Sequence, residues 1–141
     1  MRNITPFHIA IPVGCLIKAR HFYGELLGCK EGRSSEKWVD YNFYGHQLVC
    51  HEVNNYNFQN DHNPVDGEQV PIPHFGVVLK MEQWLDLTEK LVGYGIKFLI
   101  EPTIRFAGEP GEQATMFFFD PSGNAIEFKA FKNIEKDLFQ K

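Results

Sequence analysis

Pro6-Phe7-His8-Ile9-Ala10-Ile11-Pro12-Val13 is a short, apolar, β-branched run that stops at Gly14, and a similar run returns in the second half as Pro73-His74-Phe75-Gly76-Val77-Val78-Leu79. Each reads as a strand whose histidine is the third or second residue counted from a proline at its start. Outward from the first run, Leu16, Ala19, Tyr23 and Leu26 recur at three- and four-residue spacing, and Gly28 follows, which predicts an amphipathic helix over Leu16 to Leu27. Strand candidates then stand near Cys29 to Gly32, Trp38 to Phe43 and Gln47 to Val53, with Gly45-His46 in the turn between the last two. After the second run, Trp84 to Leu91 repeats the helix and Gly93 and Gly95 stop it. Ile96 to Ile100, Thr115 to Phe119 and Ala125 to Phe131 supply three more strands. The chain therefore reads as β-α-β-β-β twice, an internal repeat.

That repeat sets the expected organisation, a single α+β domain. Module one covers residues 1–53, a linker 54–71, module two 72–131 and a C-terminal tail 132–141. The linker is rich in Asn, Asp, Gly and Pro and has little hydrophobic periodicity, so a mobile loop is expected there. At 141 residues with 43% hydrophobic content the chain can bury a real core. A net charge of −4, with only 14 Lys and Arg spread along the chain, argues against a surface that tracks phosphates, so nucleic acid is excluded as a partner. No apolar run reaches the roughly 18 residues that span a bilayer, and Met1-Arg2-Asn3 leads into a strand without a secretory apolar region. A cytoplasmic protein is expected. Cys15, Cys29 and Cys50 are odd in number and widely separated, which reads as reduced packing residues.

Aligning the halves on their first strands sets His8 opposite His74, and the last strand of each half carries His51 and Glu127 respectively. Imidazole nitrogen and carboxylate oxygen are ligands for first-row divalent cations, and two His with one carboxylate leave positions open for substrate, water or oxygen. The strand period of two places His8 opposite the core-facing Ile9 and Ile11, and Glu127 opposite Ile126 and Phe128. Taken singly, His8 also reads as a hydrogen-bonded strand histidine and Glu127 as a carboxylate on an exposed face. The repeat is what nominates His8, His51, His74 and Glu127 together.

The chain resembles the vicinal oxygen chelate superfamily of glyoxalases, extradiol dioxygenases, fosfomycin resistance enzymes and bleomycin-binding proteins. The resemblance is carried by Pro6 to Val13, by Ala19-Arg20-His21-Phe22-Tyr23-Gly24-Glu25-Leu26-Leu27-Gly28, by Pro73-His74-Phe75-Gly76, and by Phe118-Phe119-Asp120-Pro121-Ser122-Gly123-Asn124-Ala125-Ile126-Glu127. It implies two β-α-β-β-β modules forming a curved, mixed eight-stranded sheet, a cup with a divalent metal on its floor. His8, His74 and Glu127 match the ligand positions, and the fourth position of glyoxalase-like members aligns with His51. Where extradiol dioxygenases carry a tyrosine ten residues before the glutamate, this chain has Phe117.

The expected cofactor is Fe(II), with Zn, Ni, Co or Mn as alternatives. The expected activity is dioxygenase-like on a small molecule that chelates through adjacent oxygens. A glyoxalase-like lyase or isomerase and a non-catalytic antibiotic-binding protein are the other readings. Candidate substrate contacts are Arg105, Glu112 and Gln113, in a Gly- and Pro-punctuated stretch, and Trp38. Arg105 reads equally as a solvated loop charge pairing Glu109 or Glu112, and Trp38 equally as core. No catalytic residue beyond the ligands is nominated. A homodimer is expected, by resemblance.

Overall fold

The computed structural model describes residues 3–56, 59–65 and 67–141, so the expectations touching Met1, Arg2, Asn57, Phe58 and Asp66 lie outside the described residues. Its contacts divide the chain into two units, Met1–Phe58 with Asp120–Asn124, and Gln59–Phe119 with Ala125–Lys141. The α+β class and the β-α-β-β-β order of each half are as the sequence predicts.

In the first unit, β1 (His8–Val13) is followed by α1 (Leu16–Ala19), which runs on as a π-helical stretch, Arg20–Leu26. Leu16, Ala19, Phe22, Tyr23 and Leu26 are its buried residues, the face the apolar spacing marks out. Gly28 then takes a positive φ of 72°, a conformation that suits a residue without Cβ. The strands β2 (Lys30–Ser34), β3 (Trp38–Phe43) and β4 (His46–Glu52) complete a sheet in the order β1-β4-β3-β2. Alternation along β3 buries Val39, Tyr41 and Phe43 and leaves Trp38, Asp40 and Asn42 on the other face. Cys50 lies in the core, and burial pushes its thiol up to about 12, so it is a protonated packing residue.

Asp120–Asn124 belongs to this unit for a specific reason. The Asp120 carboxylate is buried and accepts from Tyr23 Oη (2.7 Å), Asn124 Nδ2 (2.8 Å), and the backbone N–H groups of Ser122 (2.8 Å) and Asn124 (2.9 Å). A buried carboxylate is tolerated only with its lone pairs satisfied in this way. Asn124 Nδ2 also donates to the Pro12 carbonyl (2.8 Å). The Asp-Pro-Ser-Gly-Asn motif is thus a structural clasp.

The second unit departs from expectation between residues 61 and 72. The predicted mobile linker contains an antiparallel hairpin, β5 (Asp61–Val65) with β6 (Glu68–Ile72). Its register is held by burial that polar composition does not advertise: Val70 joins Ile100 and Phe117 in an apolar cluster. Next come β7 (His74–Phe75), β8 (Val78–Lys80), α2 (Met81–Gly93), β9 (Phe98–Arg105), β10 (Gln113–Phe119) and β11 (Ala125–Phe131). The tail carries a short helix, α3 (Ile134–Asp137). The sheet order is β7-β11-β10-β9, with β8 also on β11. Trp84, Leu87 and Leu91 of α2 are buried, and Trp84 Nε1 donates to the Phe128 carbonyl (2.9 Å). Among the described residues no helix is long and apolar enough to cross a membrane.

The break between β7 and β8 falls at Gly76. A Cβ built there would overlap the Glu127 carbonyl oxygen. Glycine is what lets the two backbones approach this closely, and so it sets the height of Glu127 against His74.

Candidate functional site

His74 and Glu127 are brought together within the second unit. β7 runs parallel to β11 with His74 opposite Ala125, so Glu127 lies two residues further along and its side chain shares the Ala125 face. His74 Nε2 stands 2.9 Å from Glu127 Oε2, and His74 Nδ1 donates to the Pro71 carbonyl (2.7 Å). Thr115, on the neighbouring strand, donates its hydroxyl to Glu127 Oε1 (2.8 Å), and Lys129 Nζ lies 3.7 Å from the same oxygen. Burial alone would push the Glu127 carboxyl up, but the His74 hydrogen bond, the Lys129 charge and the Thr115 hydroxyl outweigh it and hold the group below its usual range. The same bond to Glu127 raises His74, against the opposing effect of its own burial. Phe117 lies opposite Glu127 on β10 and meets the His74 ring edge-on at 5.0 Å.

His8 lies in the first unit, exposed on β1, as the alternation predicts. Its Nδ1 is 2.7 Å from Gln47 Oε1, and Gln47 Nε2 donates to Asp40 Oδ2 at 3.1 Å. Because the amide nitrogen is engaged by Asp40, the amide oxygen faces His8. The imidazole therefore donates from Nδ1. Gln47 was not nominated from the sequence, because its place beside His8 depends on a parallel register between neighbouring strands that no sequence pattern states. His46, set in a turn by the sequence reading, opens β4 and accepts the Phe7 backbone N–H at 2.8 Å through Nδ1.

The parallel registers also revise the internal alignment. In the first unit His8, Ala10 and Pro12 pair with Gln47, Val49 and His51, while in the second His74 and Val78 pair with Ala125 and Lys129. With His8 set on His74, the counterpart of Glu127 is Val49, and the counterpart of His51 is Lys129. Val49 is buried and has no donor atom. His51 is exposed, opposite Trp38 on β3 with ring centroids 6.5 Å apart.

Arg105 is corrected more sharply. It ends β9 instead of lying in a loop, because Ile100, Thr103 and Ile104 carry the strand on past Pro102, which an edge strand tolerates. Its side chain is buried. It donates to the Val65 carbonyl (2.9 Å) and to Glu68 Oε2 (3.1 Å), and lies over the Phe117 ring at 6.0 Å. Its partner is Glu68, with neither Glu109 nor Glu112 involved, and its work is to pin the β5–β6 hairpin. Glu112 accepts from the Gly108 N–H (3.1 Å) in the intervening loop, and Gln113 opens β10 directly opposite Arg105.

Among the described residues no group of three His, Cys, Asp or Glu side chains is gathered at metal-binding distance, so the structure itself assembles the His74–Glu127 pair. The donor chemistry fits a divalent cation. Both histidines spend Nδ1 on a carbonyl-type oxygen, the outer contact that fixes the tautomer of metal-bound imidazoles.

Comparison with known proteins bears on the fold and the family. The family model described as the Glyoxalase/Bleomycin resistance protein/Dioxygenase superfamily matches residues 5–128. No curated protein matches the chain. Among solved structures, a glyoxalase/bleomycin resistance protein/dioxygenase from Alicyclobacillus acidocaldarius is 33% identical, with a TM-score of 0.79 over 96% of this chain and 98% of the other. The genomically encoded fosfomycin resistance protein FosX from Listeria monocytogenes is 17% identical (TM-score 0.68, 97% and 98% covered). A glyoxalase/dioxygenase from Nostoc punctiforme is 19% identical (TM-score 0.64, 89% and 90% covered). The last two share the fold. The chain belongs to the glyoxalase/bleomycin resistance protein/dioxygenase superfamily.

Proposed function

We propose that the chain is a divalent-metal-dependent enzyme of the vicinal oxygen chelate type, dioxygenase-like, with His8, His74 and Glu127 holding the metal. The observation that carries this reading is the pair of histidines whose Nδ1 atoms are tied to carbonyl-type oxygens, one of them with Nε2 2.9 Å from a buried carboxylate. When bound, the metal would supply positive charge to two adjacent oxygens of a small substrate. Fe(II) is the proposed ion, because two His and one carboxylate leave open positions for substrate and dioxygen; Zn, Ni, Co and Mn are the alternatives.

The chain's own residues have definite tasks in this reading. Thr115 fixes one Glu127 oxygen and so aims the other. Phe117 walls one side of the His74 ring. At that position a phenol able to bond a catecholic oxygen is lacking, which favours an enediol-type substrate over a catechol. His51 and Trp38 are proposed as substrate contacts on the His8 side, and a homodimer as the assembled form.

A lyase or isomerase of the glyoxalase kind is the second reading. A displaceable carboxylate is what that chemistry draws on at the fourth position, and neither His51, which the resemblance sets there, nor Val49, which the internal register sets there, supplies one. Oxygen uptake by iron-loaded protein with a panel of vicinal diols and enediols tests the choice. Substrate-dependent uptake is expected; iron-loaded protein that consumes no oxygen with any of them, while nickel- or zinc-loaded protein isomerises a hemithioacetal, would reverse it.

A further inference from the structure

The second unit contains an open cavity of about 280 Å³ lined in part by Lys129, which stands two residues along β11 from Glu127. Its floor is Lys129 and Phe131 of β11 with Gln113 of β10, and its walls are Phe106, Gly111 and Leu138. Gln113 and Phe131 stand just beyond the Ala114–Ala130 pair, in the register in which Thr115 pairs with Lys129 and Phe117 with Glu127. The cavity thus lies along the same sheet face as the carboxylate, one two-residue step away, about 7 Å. Its size is just below the usual range for small-molecule sites, and its lining joins the aromatic Phe106 and Phe131 to the polar Gln113, Lys129 and Gln140.

Two cationic side chains stand on this side of the sheet, and they are differently placed. Arg105 has its terminal nitrogens committed to Val65 and Glu68. Lys129 is only one-third exposed and has its ammonium 3.7 Å from Glu127 Oε1, outside hydrogen-bonding distance. Gln113 adds an amide oxygen that is buried without a hydrogen-bond partner, an acceptor that a ligand hydroxyl could satisfy.

We infer that this cavity is a subsite for a small carboxylic acid with an apolar body, its carboxylate on Lys129 and its body between Phe106, Phe131 and Leu138. The inference deepens the proposed function and rests on it for one point: a cation taken up by Glu127 would remove the anion that Lys129 now faces and leave the ammonium to the substrate. The substrate contact expected of Arg105 passes to Lys129.

The test needs no metal. Mandelate and its uncharged analogue mandelamide are titrated into chelator-treated full-length protein, followed by the methyl and ring resonances of Leu138, Phe106 and Phe131. In Glu127→Gln, which removes the competing carboxylate, mandelate should bind at least about tenfold more tightly than in wild type, in keeping with a charge-assisted contact. It should fall back about tenfold in Glu127→Gln/Lys129→Met and recover in Glu127→Gln/Lys129→Arg, with mandelamide indifferent throughout. Equal binding of mandelate and mandelamide to Glu127→Gln, or mandelate affinity unchanged by Lys129→Met, would overturn the inference. Melting curves confirm that each variant is folded, and Lys129→Arg keeps the test decisive if Lys129→Met is not. Zinc titration of the wild type is a separate readout: loss of zinc binding with retained mandelate binding fails the metal reading alone, and the reverse fails this inference alone.

Discussion

The His8 strand and the His74 strand are built on one plan and carry opposite chemistry. Each is a short parallel partner of the last strand of its half, and each histidine donates from Nδ1 to a carbonyl-type oxygen. At the equivalent place on the last strand one half has Glu127 and the other Val49. His74 is therefore half of an ion pair around a buried carboxylate, whereas His8 is exposed and steadied through an amide, Gln47, with Asp40 behind it. A repeat can keep its backbone register while confining the charge to one copy, and that asymmetry gives the proposed three-ligand set no fourth carboxylate.

The largest effect should come from taking the charge out of the His74 side. Glu127→Gln should weaken divalent-metal binding by about 100-fold or more, since losing an outer contact alone typically costs 10- to 100-fold; competition with a fluorescent zinc indicator measures it. The same change should lower the His74 pKa in the metal-free protein. His74 is raised above its ordinary 6.5, so the pair's stabilisation is whole below that value and fades as pH rises through the elevated one. Glu127 is lowered below 4.5, so its share is present above that value and is lost as pH falls through the depressed one. Metal-free wild type should thus gain most from the pair between about pH 4.5 and 6.5. Metal affinity should climb above that window as His74 sheds its proton. A variant that keeps the wild-type pH profile of melting temperature would break the comparison at its stronger side.

Gly76→Ala comes next. The added Cβ must displace the Glu127 backbone, and overpacking of this kind costs about 3 kcal/mol, read by chemical denaturation. A cost near zero would mean that the close approach is not needed. Installing the missing charge is a smaller change: Val49→Glu should tighten zinc binding about tenfold or more by adding a carboxylate ligand on the His8 side, read by the same indicator competition. Weakest of the set, Asp40→Asn should loosen the Gln47 amide and reduce metal affinity about tenfold with little change in melting temperature.

Much of this was legible in the sequence because it is periodic. The amphipathic spacing of Leu16, Ala19, Tyr23 and Leu26 marks out the α1 face, and the alternation around Ile11 and Val13 marks the strand that holds His8. What was missed depends on contacts between distant segments. Val70 looks like one apolar residue in a polar stretch until Ile100 and Phe117 are beside it, so the β5–β6 hairpin reads as a loop. Arg105 looks solvated among glycines and prolines until Val65 and Glu68 meet it. The choice between His51 and Val49 is a two-residue question of parallel register. Both residues face the same side, so hydrophobic patterning has nothing to say about it.

The most direct test of the three-ligand site is metal content. Protein purified without chelator is analysed for iron, zinc, nickel, cobalt and manganese, alongside His8→Ala, His74→Ala and Glu127→Ala. The account predicts near-stoichiometric metal in the wild type and its loss in all three variants, His8→Ala included although its strand lies in the other unit. Metal retained at the wild-type level in His8→Ala and Glu127→Ala would contradict it.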